Sequence, residues 1–172
     1  MSEVATAILD AAEKRMRIGG FGGFSFREIA ADVGIKSSSV HYHFPTKEDL
    51  AAAVVRRYGK WAENFLDETL AVEPDPVKAW TKAFRGTIVA GTMCPCIVMG
   101  AASQDLPPTV AAEVRHFFEM HARKMAEAGL DADRASELMA TITGASVLAN
   151  IFSDSGEYDR ATRELLPESI AA

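Results

Sequence analysis

The sequence predicts an all-α protein. Apolar residues recur at three- and four-residue steps along most of the chain, as the buried stripe of a helix requires. Glycine and proline clusters such as "GGFGGF", "VEPDP" and "DLPP" separate these stretches. The chain has 172 residues, 48% of them hydrophobic, which is enough for a sizeable core. We therefore expect short and long helices joined by turns.

The N-terminal part predicts three helices. An apolar stripe extends from residue 3 to about residue 19, where "GGFGGF" ends it. Ser25 and Glu28 form a capping box for a short second helix, and Gly34 suits its left-handed end. "KSSSVHYHF" predicts another short helix, with Ser37 as its cap and a proline just after its end. Phe21 and Phe24 are expected to fold back into a small core.

The rest of the chain predicts four more helical segments and a helix first turn at Pro95. The segments cover residues 46–71, 77–91, 109–128 and 132–152. The last is uncharged from residue 138 onward and rich in Ala, Thr, Ser and Gly. A helix that is apolar nearly all round must be covered nearly all round, so we expect it to pack inside the body and against a second copy.

Charge is distributed unevenly along the chain. Residues 1–47 contain six basic and five acidic residues, a net charge of +1, whereas the whole chain carries −6, so the remainder carries −7. A local basic patch can therefore contact phosphate despite an acidic pI near 5.2. The start "MSEVATAILDAAEKR" lacks the pattern of a secretory signal, and Gly91, Pro95 and Gly100 interrupt the uncharged stretch 86–104. A cytoplasmic location is expected.

Two short helices joined by a glycine turn, after a supporting helix, form a helix-turn-helix, whose second helix can enter the DNA major groove. The stretch "GGFGGFSFREIAADVGIKSSSVHYHFPTKEDL" resembles the DNA-binding region of TetR-family transcriptional regulators. The resemblance is specific over residues 1 to about 58 and architectural beyond. It implies an N-terminal three-helix DNA-binding domain, residues 1–46, and a C-terminal helical domain for ligand binding and dimerisation, residues 47–172.

The resemblance also implies a function. The chain would be a homodimeric repressor that binds a pseudo-palindromic operator and is released by a small-molecule effector, with no enzyme activity and no cofactor. Helices 109–128 and 132–152 would form the dimer. The implied DNA-contacting residues are Arg27, Lys36, Ser37, Ser38, Ser39, His41, Tyr42, His43 and Lys47. The three serines would face the groove, and Tyr42, His43 and Lys47 would contact the DNA backbone.

Two residues depart from the family pattern. His41 stands where tyrosine is common, and Phe26 stands where a small hydroxyl residue is common. One hydrogen bond to the DNA backbone near each position is therefore in question. If His41 contacted phosphate, it would make binding sensitive to pH.

Aromatic and methionine side chains on the C-terminal helices suit a hydrophobic effector site, although a plain core is an equally good interpretation. With the two cysteines and a histidine they give the following candidate set: Trp61, Phe65, Trp80, Phe84, Met93, Cys94, Cys96, Met99, Phe117, Met120 and His121. No metal site is predicted, because His116 and His121 lie five residues apart and do not share a helical face.

The stretch "TMCPCIVMGAA" leaves further alternatives open. Cys94 and Cys96 flank a proline that fits the first turn of a helix, where a thiol becomes more reactive, so the regulator could sense electrophiles or oxidants. Both could equally be small buried apolar residues. A different class of function is a thiol-based redox enzyme that uses the same pair. A third is a helical interaction protein that has kept the motif without binding DNA.

Overall fold

The computed structural model describes residues 2–88 and 92–166, and they confirm the all-α prediction. The α-helices of this part of the chain are α1 (Glu3–Gly19), α2 (Phe26–Val33), α3 (Ser37–His43), α4 (Lys47–Val72), α5 (Pro76–Thr87), α6 (Pro95–Gly100), α7 (Pro108–Glu127), α8 (Ala132–Phe152) and α9 (Gly156–Ala161). Short 3-10 turns lie at Gly20–Gly23, Ser103–Asp105 and Arg163–Leu165.

The chain divides into two compact units. The first comprises Met1–Lys60 and Cys94–Phe117, and the second comprises Trp61–Met93 and Phe118–Ala172. All of the predicted DNA-binding domain lies in the first unit, together with α6. The predicted boundary between residues 46 and 47 stays a prediction.

In the first unit, α2 and α3 are joined by the expected left-handed turn. Ser25 accepts a hydrogen bond from the Glu28 N–H at 3.3 Å and donates its hydroxyl to the Glu28 carboxylate at 2.7 Å, which caps α2. Gly34 has φ +76°, and the Ile35 N–H reaches back to the Ala30 carbonyl at 2.9 Å. This closing pattern satisfies carbonyls at the end of α2 and turns the chain into α3.

The prediction that Ser37 caps α3 is wrong. Ser37 is the first helical residue, and the extended Lys36 takes the cap position without a side-chain hydrogen bond. The Lys36 carbonyl accepts the Ser39 N–H at 2.9 Å. Since backbone already satisfies this amide, the serine hydroxyls are not needed to cap the helix.

Ion pairs fix α4 in the first unit. Its start is capped by Thr46 and Asp49: the Asp49 N–H donates to the Thr46 hydroxyl at 3.1 Å. Arg57 pairs with Asp10 at 2.7 Å and Glu13 at 2.8 Å, both on α1. These contacts join α4 to α1 and therefore to the support of α2 and α3.

The short helix α6 packs against α1 and against the Gly20–Gly23 turn. Gly20 has φ +60°, and a Cβ atom placed there would lie 3.3 Å from Val98 Cγ1. Glycine at position 20 therefore allows the positive-φ backbone conformation, and its lack of a Cβ atom allows α6 to pack closely against the turn.

The second unit is organised around α5, α8 and α9. Trp80 of α5 and Tyr158 of α9 are completely buried, and the Tyr158 hydroxyl donates to the Thr81 carbonyl at 2.9 Å. Arg85 pairs with Asp159 at 2.7 Å. α5 ends at Thr87 because Ile88 adopts extended backbone, so the predicted end near Gly91 is too late; Gly91 itself lies outside the described residues.

Within one chain, α8 is only partly covered. Leu148, Ile151 and Phe152 are 41%, 64% and 61% exposed. Among the described helices, α8 is the one long and apolar enough to cross a membrane by length and composition, a test that a core helix of a soluble protein also passes. The expected burial against a second copy stays a prediction.

Gly34→Ala should lower the free energy of unfolding by about 1 kcal/mol, because a Cβ is disfavoured in left-handed backbone. No heavy atom lies within 4 Å of that Cβ position, so backbone strain is the cost. Urea unfolding at fixed protein concentration measures it. Gly34→Asn is the control, and its free energy of unfolding should fall by less than that of the alanine variant. Equal stability of the alanine variant and wild type would contradict the left-handed conformation of residue 34.

Candidate nucleic-acid interface

Helix α3 turns polar side chains outward and is anchored by one apolar residue. Val40 is fully buried, whereas Tyr42 is 83% exposed. Ser38 and His41 are also exposed. The other candidates on this helix, Ser37, Ser39 and His43, are half-buried. The helix thus displays hydroxyls and rings that can donate to phosphate or base edges.

Lys47 is held by two aromatic rings. Its Nζ lies 4.6 Å from the centre of the Phe21 ring and 4.8 Å from that of Phe24. The rings themselves meet edge to face at 6.4 Å. Phe24 is 2% exposed, as expected of a core residue, whereas Phe21 is only half-buried. The cation–π contacts restrict the ammonium group to a position at the start of α4.

The two residues that depart from the family pattern contact each other. The Phe26 ring meets the His41 ring edge to face at 4.5 Å, and His41 Nδ1 lies 3.5 Å from the Pro45 carbonyl oxygen. This pair joins α2 to the end of α3 by ring packing. Both departures are visible in the sequence, but nothing there indicates that the two side chains touch.

The remaining basic candidates, Arg27 and Lys36, are exposed at the start of α2 and just before α3. By contrast, Arg15 of α1 is paired with Asp32 at 3.0 Å and with Glu28 at 3.2 Å. Arg15 therefore links α1 to α2. Arg27, Lys36 and Lys47 leave a basic edge beside the polar face of α3.

Comparisons with known proteins agree with this geometry. A family model of bacterial regulatory proteins, tetR family, matches residues 8–54, which span α1 to the first part of α4. A TetR-family transcriptional regulator from Agrobacterium tumefaciens has a TM-score of 0.85 at 29% identity, over 98% of each chain. Residues 8–54 therefore match the tetR family of bacterial regulatory proteins, and the chain as a whole shares its fold with a TetR-family transcriptional regulator.

Other solved structures share the fold of this chain. A TetR transcriptional regulator from Legionella pneumophila has a TM-score of 0.86 at 23% identity, over 96% of each chain. The reduced form of NemR from E. coli has a TM-score of 0.79 at 16% identity, over 96% of this chain and 97% of that one. A search of curated proteins found no significant match.

The candidate effector residues are divided between the two units. In the first, Cys94, Cys96, Met99 and Phe117 are buried, and the Phe117 ring lies 5.9 Å from that of Tyr58. Tyr58 was not among the predicted site residues. Its place in the apolar stripe of α4 indicated only burial.

In the second unit the set forms two aromatic contacts. Trp61 stacks on Phe65 at 5.3 Å and is 45% exposed, and Phe84 lies 5.3 Å from the buried ring of His121. The other members are Trp80 and Met120, both buried, and the half-buried Met93. Trp80 Nε1 has no hydrogen-bond partner among the described residues.

The second unit also has an apolar groove between α7 and α8 of about 600 Å³. Its lining includes Phe118, Ala122, Met125, Met139, Ala140 and Thr143. The groove thus follows both helices that were predicted to form a dimer.

Stability should depend on the charge of His121. Burial, with the nearby Lys124 charge, lowers the pKa of His121 to about 4. The unfolded chain, with a histidine pKa near 6.5, then binds the proton more readily than the folded chain. The free energy of unfolding should therefore fall as the pH drops from about 6.5 towards 4, by roughly 3 kcal/mol from this residue.

Urea unfolding at several pH values tests this with matched variants. His121→Gln should remove that part of the pH dependence, whereas His116→Gln, at an exposed position on the same helix, should keep it. If both variants follow the wild-type pH profile, His121 is not the titrating group.

Proposed function

We propose that the chain is a ligand-responsive repressor that binds a pseudo-palindromic operator as a homodimer. The observation that supports this most is the exposed polar face of α3 beside a lysine fixed by two rings. The second helix of a helix-turn-helix enters the major groove, and a two-fold dimer presents two such helices to adjacent half-sites. An effector that favours a dimer with a different distance between its two α3 helices would lower the affinity for the operator.

The proposed contacts fall into two kinds. Ser37, Ser38 and Ser39 reach base edges or nearby phosphates, because their short hydroxyls both donate and accept. Tyr42, His43 and Lys47 bind the backbone, with Arg27, Lys36 and His41 at the edge of the same surface. Backbone contacts set position, and base contacts give sequence preference.

Fluorescence anisotropy on duplex DNA from immediately upstream of the chain's own gene, against a scrambled duplex, tests these roles. Lys47→Met should weaken binding to both duplexes and reduce the salt slope by about 1, since one phosphate contact is lost. Phe21→Leu should weaken binding less, because it only releases the lysine. Ser38→Ala should instead reduce the preference for the native sequence.

Lys60→Met is the control, as an exposed lysine farther along α4. It should keep the wild-type affinity and salt slope. An unchanged salt slope for Lys47→Met, with native preference intact, would remove Lys47 from the interface.

The dimer is proposed to form through α7 and α8. Their apolar groove and the exposed Ile151 and Phe152 would be covered by the same surface of a second copy, as two-fold symmetry requires. Such burial explains why a helix with no charge along its second half is stable in water.

Sedimentation velocity should give a mass of twice the 18.5 kDa chain. Ile151→Glu should shift the protein to monomer, because it places a charge in an apolar interface. Val72→Glu changes an equally apolar residue that is 83% exposed on α4 and should stay dimeric. A dimeric Ile151→Glu, or a monomeric wild type, would contradict the proposed interface.

The effector is proposed to be a largely apolar small molecule. Aromatic and methionine side chains at candidate positions favour apolar ligands, and the unpartnered Trp80 Nε1 would gain a hydrogen bond from an acceptor atom. A regulator of this kind acts on chromosomal DNA, which implies a cytoplasmic location and no catalytic step of its own.

A further inference from the structure

The two cysteines lie in the same compact unit as the helix-turn-helix. Cys94 directly precedes α6 and Cys96 lies within it, both as free thiols. They are 3% and 0% exposed. Neither is used by the proposed DNA contacts.

The two thiols are in unequal surroundings. The Cys94 sulfur is hydrogen-bonded by the Cys96 thiol, the Tyr58 hydroxyl and the N–H groups of Cys96 and Ile97. Burial alone would raise the pKa of Cys94, but these hydrogen bonds outweigh it and hold that pKa below its usual value. Burial, together with Cys94, raises the pKa of Cys96 well above its usual value.

Charged groups from α1 complete the cluster. The Arg17 guanidinium lies 5.5 Å from the centre of the Tyr58 ring, and Glu13 is 3.9 Å from Arg17. Both act electrostatically on Cys96. Cys94 is therefore the more acidic of the two thiols, because its pKa is lowered and that of Cys96 is raised. Tyr58 of α4 and Arg17 of α1 lie beside the pair.

An added atom at Cys94 has little space. Tyr58 is 3% exposed, and Cys96 and Met99 are 0% and 1% exposed, so the surroundings are tightly packed. α6 rests on α1 and on the Gly20–Gly23 turn, whose Phe21 helps to hold Lys47. A displacement of α6 would therefore reach the DNA-binding helices through contacts within one unit.

We propose that Cys94 and Cys96 are an oxidant-responsive thiol pair, and that their oxidation lowers operator affinity. The effect on affinity rests on the DNA-binding function proposed above. The geometry points to this because two neighbouring free thiols at the start of α6 are buried where α6 packs on α1 and on the Gly20–Gly23 turn, which support the helix-turn-helix.

A small hydroperoxide such as hydrogen peroxide is the oxidant. The Cys94 thiolate attacks one peroxide oxygen, the O–O bond breaks, and the released hydroxide takes up a proton to become water, which leaves a sulfenic acid. The Cys96 sulfur then attacks the Cys94 sulfur. The S–S bond forms, the S–O bond breaks, and the Cys96 proton leaves with the hydroxyl as water. Two thiols and one peroxide thus give one disulfide and two waters.

Burial selects the oxidant by size. Cys94 is 3% exposed as a residue, and hydrogen peroxide is close to water in size, so we expect peroxide to reach its thiol more readily than larger reagents do. Bulky electrophiles and alkylating reagents should react slowly with the folded protein. The two thiols should therefore react with small oxidants faster than with large apolar compounds.

The test exposes the reduced full-length protein to hydrogen peroxide, counts thiols by mass spectrometry after denaturation, and measures anisotropy on the upstream duplex. Wild type should lose two thiols and bind at least tenfold more weakly, and dithiothreitol should restore both. That reversal separates thiol chemistry from methionine oxidation, which dithiothreitol does not reverse.

Variants separate the roles. Cys94→Ser should be insensitive to peroxide, and Cys96→Ser should stop at a sulfenic acid that dimedone labels at Cys94. Tyr58→Phe removes one hydrogen bond to Cys94, so its oxidation should be slower near neutral pH and its rate profile should shift to higher pH. A purely structural role of Tyr58 would leave that pH profile unchanged.

Two results would overturn the proposal. In one, neither cysteine of wild type oxidises faster than free cysteine. In the other, a disulfide forms while operator affinity and the hydrogen–deuterium exchange of α1 stay unchanged. Failure of the proposed function looks different: the reduced protein would then show no preference for the upstream duplex, while oxidation would still form the disulfide and increase exchange in α1.

Discussion

A seven-residue helix cannot hold its own conformation in water, so the proposed DNA-binding face depends on how α3 is held. The main apolar anchor is Val40, which is completely buried, and the left-handed Gly34 sets the direction in which α3 leaves α2. The Phe26–His41 contact adds a second attachment near its end. Val40 is the one fully buried residue of α3, so the exposed positions of this helix can carry the polar groups proposed to contact DNA.

The support for that short helix extends through charged contacts and ring contacts in the first unit. Arg15 joins α1 to α2, and Arg57 joins α4 to α1. Lys47 rests on the rings of the turn that follows α1. A small change in α1 would therefore be expected to affect both the orientation of α3 and the position of a basic group. For this reason the contact of α6 with α1 is central to the proposed response to oxidation.

The sequence predicts most of the fold, because local signals determine most helix ends. The Ser25–Glu28 cap and the left-handed Gly34 both fulfil their predicted roles. Ser37 fails as a cap because backbone satisfies the amide it would have served. Contacts between distant segments, such as Phe26 with His41 and Tyr58 with Cys94, leave no local signal. The residues of the candidate site could therefore be named from sequence, but the contacts among them could not.

The proposed role of α3 is to read a particular DNA sequence as part of a two-fold dimer. Selection from a random-sequence duplex library with the purified protein, followed by sequencing of the bound fraction, tests this role even though the operator is unidentified. We expect enrichment of one inverted repeat with half-site centres about one helical turn, or a multiple of it, apart. Bound DNA with no enriched sequence, or with a single unrepeated half-site, would contradict that role.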